Sequence, residues 1–247
     1  MSIAIDIRHV CFSYDDFQLA DITTRLRAGE QKALVGLNGS GKTTLFKLIL
    51  GLLRPVSGEI EVFGKPVRPD TLWQIRQEVG FMFQNPDDQL FAPTVWDDVS
   101  FGPKNMGLSP EEVRERVSWS LDAVGLSELA QRPIGQMSFG QAKRAALAGV
   151  LAMRPRVLLL DEPFAGIDFP MIEAVIDIVN ALRKEGVAVF YTTHDRFFLE
   201  HWADSMTVLG QGQVVYDGPP AEGLEDPDVV AQIGDWERLA RRLDHRP

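Results

Sequence analysis

The sequence predicts an α/β fold, in which a core with a parallel sheet carries an antiparallel β subdomain and an inserted helical subdomain. A glycine-rich loop at residues 36–43 lies between an apolar strand and an apolar-faced helix. Two apolar segments, residues 157–160 and 187–191, lack alternation, which is typical of strands covered on both faces of a parallel sheet. Residues 3–14 alternate instead, which predicts half-buried antiparallel strands.

The N-terminal part of the chain is predicted to be mostly strand. A second strand is expected at residues 19–26, and a third at residues 32–35 runs directly into the glycine-rich loop. Residues 45–53 predict a helix with one apolar face, and residues 59–63 a short strand. Strand, glycine loop and helix thus follow one another in the order that a phosphate-binding loop requires.

Residues 36–43 read GLNGSGKT and fit the phosphate-loop pattern G-x-x-x-x-G-K-[ST]. The glycines let successive backbone N–H groups converge on phosphate oxygens, and the helix N-terminus adds partial positive charge. Lys42 can reach the β- and γ-phosphates of a nucleotide, and the Thr43 hydroxyl can hold Mg²⁺. An ordinary glycine-rich turn before a helix is the alternative, and the flanking strand and helix favour nucleotide binding.

The middle of the chain, about residues 85–152, is predicted to be a helical subdomain inserted into the core. It follows a buried strand at residues 79–83 that ends at Gln84, and it opens with a loop containing two prolines. Capping residues mark three helix starts in this part of the chain, at Thr94, at Ser109 and, in an S-x-x-Q capping box, at Ser138.

The C-terminal part returns to alternating helix and strand. Residues 171–184 predict an amphipathic helix. Residues 205–209 and 213–217 flank a Gly-Gln-Gly turn and predict a hairpin. The remaining residues, 221–247, are expected to form at most a terminal helix with a solvated face.

Polar residues follow the predicted core strands where they end. Asp161 and Glu162 come after the first uninterrupted strand, and His194 comes shortly after the second. Since ligands sit at the carboxyl ends of the strands in open parallel sheets, these residues and Gln84 should share one edge with the glycine loop. Asp161 could hold Mg²⁺ through water, and Glu162 suits a general base for attack on a γ-phosphate.

Several of these residues have a simpler interpretation when taken alone. Strand-end acids commonly form surface ion pairs, and a lone histidine such as His194 is more often structural. Ser138 alone would be only a helix cap, and Tyr14 alone a surface tyrosine that closes a strand. The glycine loop upstream favours a chemical role for Asp161 and Glu162.

The amino-acid composition argues against several classes of function. The 247 residues carry a formal net charge of -10, which opposes nucleic-acid binding and direct attraction to anionic lipid. The single cysteine, Cys11, cannot form an internal disulfide, which fits a reducing compartment. No signal peptide or membrane-spanning segment is expected, so that a membrane role would run through a partner.

Six segments in this order resemble the ATP-binding cassette (ABC) ATPases. They are the phosphate loop, the glutamine loop at Gln84, MSFGQ at 137–141, LLLDEP at 158–163, AGID at 165–168 and Thr-His at 193–194. The resemblance covers about residues 3–218 and implies a P-loop NTPase (RecA-like) core that hydrolyses ATP with Mg²⁺.

The resemblance also implies roles for individual residues. Catalytic roles fall to Glu162, which would activate water, to His194, which would contact the γ-phosphate, and to Gln84 and Lys42. Mg²⁺ is expected on Thr43, Gln84 and Asp161. The implied nucleotide contacts are an adenine-stacking tyrosine, the phosphate loop and the signature segments: Tyr14, Gly36, Leu37, Asn38, Gly39, Ser40, Gly41, Lys42, Thr43, Thr44, Ser138, Gly140, Gln141 and Asp168.

Two residues depart from the pattern of the family. The signature is usually Leu-Ser-Gly-Gly-Gln, and Phe139 replaces its first glycine here. Because Ser138 and Gly140 remain, activity is expected to survive. Phe164 replaces a common threonine after Asp-Glu-Pro, and only a change in packing is expected from it.

The resemblance implies an ABC ATPase domain over residues 1–220 and a C-terminal helical tail over residues 221–247. Within the domain, the RecA-like core and β subdomain would take residues 1–84 and 154–220. The helical subdomain that carries the signature would take residues 85–153.

The segment after the glutamine loop narrows the resemblance to the ATPase subunits of energy-coupling factor importers, most closely the cobalt and nickel members. FQNPDDQLFAPTV at residues 83–95, DVSFGP at 98–103 and AGVLAM at 148–153 carry this resemblance. It implies a peripheral subunit on the cytoplasmic face of the cell membrane that powers import of cobalt or nickel ions.

The implied partners are a transmembrane energy-coupling subunit, a substrate-binding membrane subunit and a second ATPase subunit, with no nucleic acid. Asp87, Asp88 and Gln89 would lie at a groove that receives coupling helices of the membrane partner. The ATPase subunits would form a head-to-tail dimer, expected to be a homodimer, in which Ser138 and Gly140 complete the other subunit's site and Asp168 couples the two sites.

Three alternatives remain open at this point. The same ATPase could serve a vitamin importer. It could instead be a non-transport cassette ATPase that remodels nucleic acid or ribosomes, although the acidic composition and single cassette oppose this. A nucleotide-binding switch without turnover is the third, and the presence of Lys42, Asp161 and Glu162 opposes it.

Overall fold

The computed structural model describes residues 2–14 and 17–234, whose strands form two sheets. The smaller sheet has the order β2-β1-β4-β5 and consists of β1 (Ile3–Tyr14), β2 (Phe17–Arg27), β4 (Ser57–Val62) and β5 (Lys65–Pro66). The larger sheet has the order β10-β9-β3-β8-β7-β6 and consists of β3 (Gln31–Val35), β6 (Val79–Met82), β7 (Val157–Leu160), β8 (Ala188–Thr192), β9 (Ser205–Gly210) and β10 (Gln213–Gly218).

The smaller sheet is antiparallel and buries one face. β1 pairs with both β2 and β4 in antiparallel register. Along β2 the buried side chains of Ile22, Thr24 and Leu26 alternate with exposed ones. This is the alternation expected when a sheet packs on the core through one face only.

The larger sheet is parallel except at one edge. β6, β7, β8, β3 and β9 run in the same direction, and β10 turns back antiparallel to β9. Every residue of β7 and β8 is buried, as expected for strands covered on both faces. The carboxyl ends of these strands therefore form a single edge, and the glycine loop follows β3 at that edge.

Helices of the core surround this sheet. They are α1 (Lys42–Ile49), α2 (Leu72–Glu78), α6 (Phe169–Lys184), α7 (Arg196–His201), α8 (Pro220–Gly223) and α9 (Pro227–Ile233). α1 buries Leu45, Phe46, Leu48 and Ile49 in a core cluster shared with the smaller sheet. Because α1 is fixed by this packing, the loop before it has a rigid support on both sides.

Between β6 and β7 lies the helical subdomain, with α3 (Val95–Asn105), α4 (Pro110–Ala123) and α5 (Phe139–Ala152). The side chains of Thr94, Ser109 and Ser138 cap these helices, which confirms the three predicted starts. α5 packs against α3, α4 and β6, and is thus the link between the subdomain and the larger sheet.

The predicted fold class is confirmed, while some elements were not foreseen. The sequence patterns missed α2 and α7, and the loop after β6 contains a short 3-10 turn at Pro86–Asp88. The predicted tail, residues 221–247, begins within α8 and continues with α9, and its last part lies outside the described residues. The domain boundaries remain a prediction. Within residues 2–14 and 17–234, the helices all fall short of the length and apolarity needed to cross a membrane.

Candidate active site

The glycine-rich loop takes backbone conformations that favour glycine. Gly36, Gly39 and Gly41 have φ angles of 147°, 82° and 105°. A Cβ on Gly36 would lie 2.3 Å from the carbonyl oxygen of Leu209 on β9, and a Cβ on Gly41 would lie 2.5 Å from Leu19 Cδ2. The loop therefore fits between β9 and the smaller sheet only with glycine at these two positions.

Lys42 begins α1 and is buried with its ammonium inside the loop. Its Nζ donates to the carbonyl oxygens of Gly36 at 2.8 Å and Leu37 at 3.3 Å. Burial lowers the pKa of Lys42, and the charges of Glu162 and Asp161 act in the opposite direction. A positive charge is thus held between the loop carbonyls and the strand-end acids.

Asp161 follows β7 directly, and two hydroxyl groups share its carboxylate. Oδ2 accepts a hydrogen bond from Thr43 Oγ1 at 2.7 Å, and Oδ1 accepts one from Thr192 Oγ1 at 2.7 Å. Its backbone N–H donates to the carbonyl oxygen of Met82 at 2.9 Å. These contacts join the carboxyl ends of β6, β7 and β8 to the first turn of α1 at the predicted edge.

Glu162 is half-buried and has a φ of 47°, in the left-handed region. Its backbone N–H donates to Thr192 Oγ1 at 2.8 Å. Burial raises the pKa of Glu162 to about 7, against a lowering effect of Lys42 and with a further raising effect of Asp161. A carboxylate with such a pKa can take up a proton near neutral pH.

His194 lies after β8 and approaches Glu162. Its Nε2 is 3.0 Å from Glu162 Oε1 but is not aligned for a hydrogen bond, and no donor to this buried oxygen is found within the described residues. Burial lowers the pKa of His194, and the charge of Lys42 acts in the same direction. The neutral imidazole is therefore the favoured form at pH 7.

These side chains meet around a pocket of about 310 Å³, which we call the phosphate-loop pocket. Its lining comprises Phe17, Asn38, Gly39, Gly41, Lys42, Thr43, Thr44, Gln84, Asp161, Glu162 and His194. Of the predicted site residues, Gly36, Leu37 and Ser40 belong to the same loop without lining the pocket. Phe17 was not predicted, because an aromatic residue at the start of a strand has no distinguishing pattern.

The signature residues lie elsewhere. Ser138, Gly140, Gln141 and Asp168 line a second cavity of about 650 Å³ between α5 and the start of α6, which we call the signature cavity. Its lining shares no residue with that of the phosphate-loop pocket. Within the described part of one chain, the two groups of predicted residues therefore do not meet in one pocket.

Tyr14 is the predicted site residue that lies apart from both cavities. It ends β1 opposite Phe17, and its exposed fraction is 68%. Among the described residues, the linings of the two cavities do not include Tyr14. A stacking role on adenine thus remains a prediction.

The two departures from the family pattern have different surroundings. Phe139 is half exposed at the first position of α5, and its ring lies where a Cβ on Gly166 would approach it to 2.6 Å. Phe164 is buried and stacks on Phe198, with ring centroids 3.9 Å apart. Its replacement of threonine therefore contributes packing, as expected.

Besides Phe17, the sequence patterns also missed Lys143 in the region of the site. It lies on α5, is 2% exposed, and donates from Nζ to the carbonyl oxygens of Glu162 and Ala165 at 2.7 Å each. Burial lowers the pKa of Lys143 to about 8, although Glu162 and Asp161 oppose the shift. A lysine on a helix usually faces solvent, and its carbonyl partners come from a distant segment, so no local pattern identifies it.

The residues present fit a nucleoside triphosphate with Mg²⁺. Ser40 Oγ is buried and has no hydrogen-bond partner within the described residues, so it can donate to a phosphate oxygen. Thr43 and Asp161 supply the oxygen ligands that Mg²⁺ prefers, and Gln84 lines the same pocket. Mg²⁺ usually takes one or two carboxylates and completes its shell with water and substrate phosphates, which matches this small set.

Comparisons with known proteins agree with this geometry. The family model described as "ABC transporter" matches residues 19–165. The energy-coupling factor transporter ATP-binding protein EcfA of Methanothermobacter thermautotrophicus is 42% identical over 244 residues, which cover 97% of this chain and 78% of the relative. EcfA of Carboxydothermus hydrogenoformans is 39% identical over 249 residues, which cover 96% and 92%.

Solved structures also show similarity to ATP-binding subunits of ABC transporters. CbiO1 of Clostridium perfringens, part of the ABC transporter complex CbiONQ, is 36% identical and superposes with a TM-score of 0.80 over 94% of each chain. An ATP-binding subunit of an ABC transporter with 24% identity and a TM-score of 0.83 shows the shared fold. The chain therefore belongs to the ABC ATPases, the ATP-hydrolysing subunits of ABC transporters, and within them to the energy-coupling factor group.

Proposed function

We propose that this chain hydrolyses ATP in the phosphate-loop pocket and thereby powers an importer of the energy-coupling factor type. The observation that carries the proposal is the hydrogen bond of 2.7 Å from Thr43 Oγ1 to Asp161 Oδ2. It joins the phosphate loop to the strand that ends in Asp161 and Glu162. A phosphate group on the loop would therefore lie beside a magnesium ligand and a candidate base.

The nucleotide phosphates would be held by the loop from Gly36 to Thr44. Backbone N–H groups of the glycine-rich segment and the start of α1 would surround the phosphate oxygens. Lys42 would leave its carbonyl partners and bind the β- and γ-phosphates. The adenine would stack on Tyr14.

Mg²⁺ would be held by Thr43, Gln84 and, through water, Asp161. When bound, the ion neutralises negative charge on the β- and γ-phosphate oxygens. Because Asp161 already accepts two hydrogen bonds from Thr43 and Thr192, its carboxylate is oriented before any ligand arrives.

Glu162 would act as the general base. As the oxygen of a water molecule bonds to the γ-phosphorus, the carboxylate takes the water proton. The bond from that phosphorus to the β–γ bridging oxygen breaks, and ADP and phosphate are formed. His194, 3.0 Å from Glu162 Oε1 and neutral at pH 7, would contact the γ-phosphate, and Lys42 would stabilise the charge on it.

A second ATPase subunit would complete the site. Ser138, Gly140 and Gln141 line the signature cavity rather than the phosphate-loop pocket, which supports a role toward the nucleotide of another subunit. In a head-to-tail homodimer, the start of α5 would face the γ-phosphate of the partner's nucleotide. Asp168, exposed at the start of α6, would couple the two sites.

A transmembrane energy-coupling subunit would dock beside the glutamine loop. Gln89 accepts from the N–H of Phe83 at 3.1 Å and donates to the carbonyl oxygen of Ala146 on α5 at 2.8 Å. A partner that presses on the exposed Asp87 and Asp88 could thus act on both the glutamine loop and the signature helix. The chain would then be a peripheral protein on the cytoplasmic face of the cell membrane.

For the cargo we propose cobalt or nickel ions, bound by a separate membrane subunit. The support is the likeness to CbiO1, which comes from the CbiONQ complex, together with the sequence of the segment after Gln84. Purification of the chain from its native membranes, followed by identification of the subunits that copurify, would test this part. Metal and vitamin uptake assays on a strain that lacks the chain would then separate a metal importer from a vitamin importer.

The substitution Glu162→Gln tests the catalytic proposal. Since it keeps the shape and removes the base, we expect the hydrolysis rate to fall about 10²–10⁴-fold while ATP binding is retained. Steady-state phosphate release and binding of a fluorescent ATP analogue measure the two effects. Glu115→Gln, an exposed residue of α4 paired with Arg154, is the matched control and should hydrolyse at the normal rate. Near-normal turnover in Glu162→Gln would remove Glu162 from this role.

A further inference from the structure

Lys143 is almost completely buried, and the groups that satisfy its ammonium are backbone carbonyls rather than a carboxylate. Its Nζ donates to the carbonyl oxygens of Glu162 and Ala165 at 2.7 Å each. The ring of Phe139 lies over the same ammonium, 5.9 Å from ring centroid to Nζ. Burying a charged group is costly unless it is well satisfied, so these contacts must offset a substantial desolvation penalty.

The two carbonyls belong to the two ends of one tight turn. The N–H of Ala165 also donates to the carbonyl oxygen of Glu162, at 3.2 Å, and closes the turn. The chain then continues through Gly166 to Asp168, which caps α6. Lys143 therefore binds the segment that leads from Glu162, the proposed base, to Asp168, the proposed contact between subunits.

The backbone of Glu162 is held from both sides. Its N–H is bound to Thr192 on β8, and its carbonyl is bound to Lys143 on α5. Between these contacts its φ is 47°, a conformation that costs a non-glycine residue free energy and persists only where the surroundings impose it. The direction in which the carboxylate points depends on this conformation.

We propose that Lys143 is a positioning residue, which fixes the backbone of Glu162 so that its carboxylate enters the phosphate-loop pocket. The inference rests on the proposed role of Glu162 in ATP hydrolysis. It also ties the base to the helix that Ser138 begins. A shift of α5 on contact with a partner subunit would then move Glu162 and its turn as well.

A second buried lysine, which does not line the phosphate-loop pocket, provides the comparison. Lys32 on β3 is 3% exposed and donates to the carbonyl oxygen of Arg25 at 3.0 Å and to Asp217 at 2.5 Å. It lies near the start of its strand, away from the phosphate-loop pocket. Replacing either lysine by methionine removes a buried ammonium, and Lys32→Met also takes an ion-pair partner from Asp217. Of the two lysines, Lys143 is the one that contacts the turn after Glu162.

The experiment measures Lys143→Met, Lys143→Arg and Lys32→Met beside the parent chain. We expect Lys143→Met to lower kcat at least tenfold with KM for ATP within about twofold, and Lys143→Arg to recover part of kcat. Hydrogen exchange of peptides covering residues 161–168, followed by mass spectrometry on the nucleotide-free protein, should be faster in Lys143→Met. Lys32→Met should keep both kcat and this exchange close to normal.

The inference is overturned if Lys143→Met keeps kcat within twofold, or if exchange over residues 161–168 is unchanged. Should Lys143→Met fail to fold, Lys143→Gln, which retains a donor, replaces it, and normal kcat in that variant has the same meaning. Failure of the proposed function is distinguishable, because the parent chain would then lack hydrolysis or Glu162→Gln would hydrolyse normally. The exchange measurement still decides in that case whether Lys143 holds the turn.

Discussion

The two helix N-termini proposed to face nucleotide, those of α1 and α5, are built in different ways. α1 begins after Gly41 with φ 105°, and within the described residues no side chain caps it. α5 is capped by Ser138, whose Oγ accepts from the N–H of Gln141 at 3.3 Å, while the Gln141 side chain accepts from the N–H of Ser138 at 3.0 Å.

The difference indicates that the two ends depend on a ligand to different degrees. The first N–H groups of α1 have no side-chain partner among the described residues, so an anion is the natural acceptor for them. At the start of α5 the capping box gives partners to the N–H groups of Ser138 and Gln141, and α4 starts with the same arrangement at Ser109. α5 can therefore form a rigid element without nucleotide, while the phosphate loop gains its acceptors on binding.

The largest effect is expected from Lys42→Ala, which should weaken ATP binding by the phosphate loop. Loss of a buried charge contact costs about 2–5 kcal/mol, so ATP affinity is expected to fall by about 30-fold or more. Titration with a fluorescent ATP analogue measures the effect. Lys47→Ala, in the last turn of the same helix, is the control and should bind normally. Equal affinity in both variants would contradict the role of Lys42.

Gly36→Ala and Gly39→Ala separate steric contact from backbone strain in the loop. A Cβ on Gly36 would meet the Leu209 carbonyl at 2.3 Å, while one on Gly39 meets nothing within 4 Å. Strain alone costs about 1–2 kcal/mol, so Gly39→Ala should lower Tm by about 2–8 °C. Gly36→Ala should lower it clearly further, because a clash is added. Thermal unfolding without nucleotide measures both, and equal shifts would show that the contact with β9 is unimportant.

The smallest effects are expected from Ser138→Ala and Ser109→Ala, which compare two capped helix starts. Each removes one capping hydroxyl, which costs about 1 kcal/mol of stability. We expect similar losses in thermal unfolding, but a lower hydrolysis rate only for Ser138→Ala, because Ser138 would also face the partner's nucleotide. If the two variants hydrolyse ATP equally well, Ser138 is a helix cap and nothing more.

The sequence predicted the parts of this molecule whose determinants are local. The glycine loop, the three helix caps and the uninterrupted strands follow from residues that are neighbours in the chain. Asp161 and Glu162 were found because the strand before them fixes where they emerge. Their common edge with the loop follows from the general behaviour of parallel sheets.

The missed features depend on contacts between distant segments. Lys143 resembles any helical lysine until the turn at residues 162–165 is placed over it. Phe17 lines the phosphate-loop pocket only because β2 begins beside the loop. α2 and α7 span only 7 and 6 residues, too short for a helical period to stand out.

The left-handed backbone conformation of Glu162 bears on which amino acids this position can accept in evolution. Glycine would adopt the same φ of 47° at lower cost, and the difference is about 1–2 kcal/mol. Folding stability alone would therefore favour a residue that carries no carboxylate. Retention of glutamate at this position sets a limit on how stable the protein can become while it keeps its proposed base.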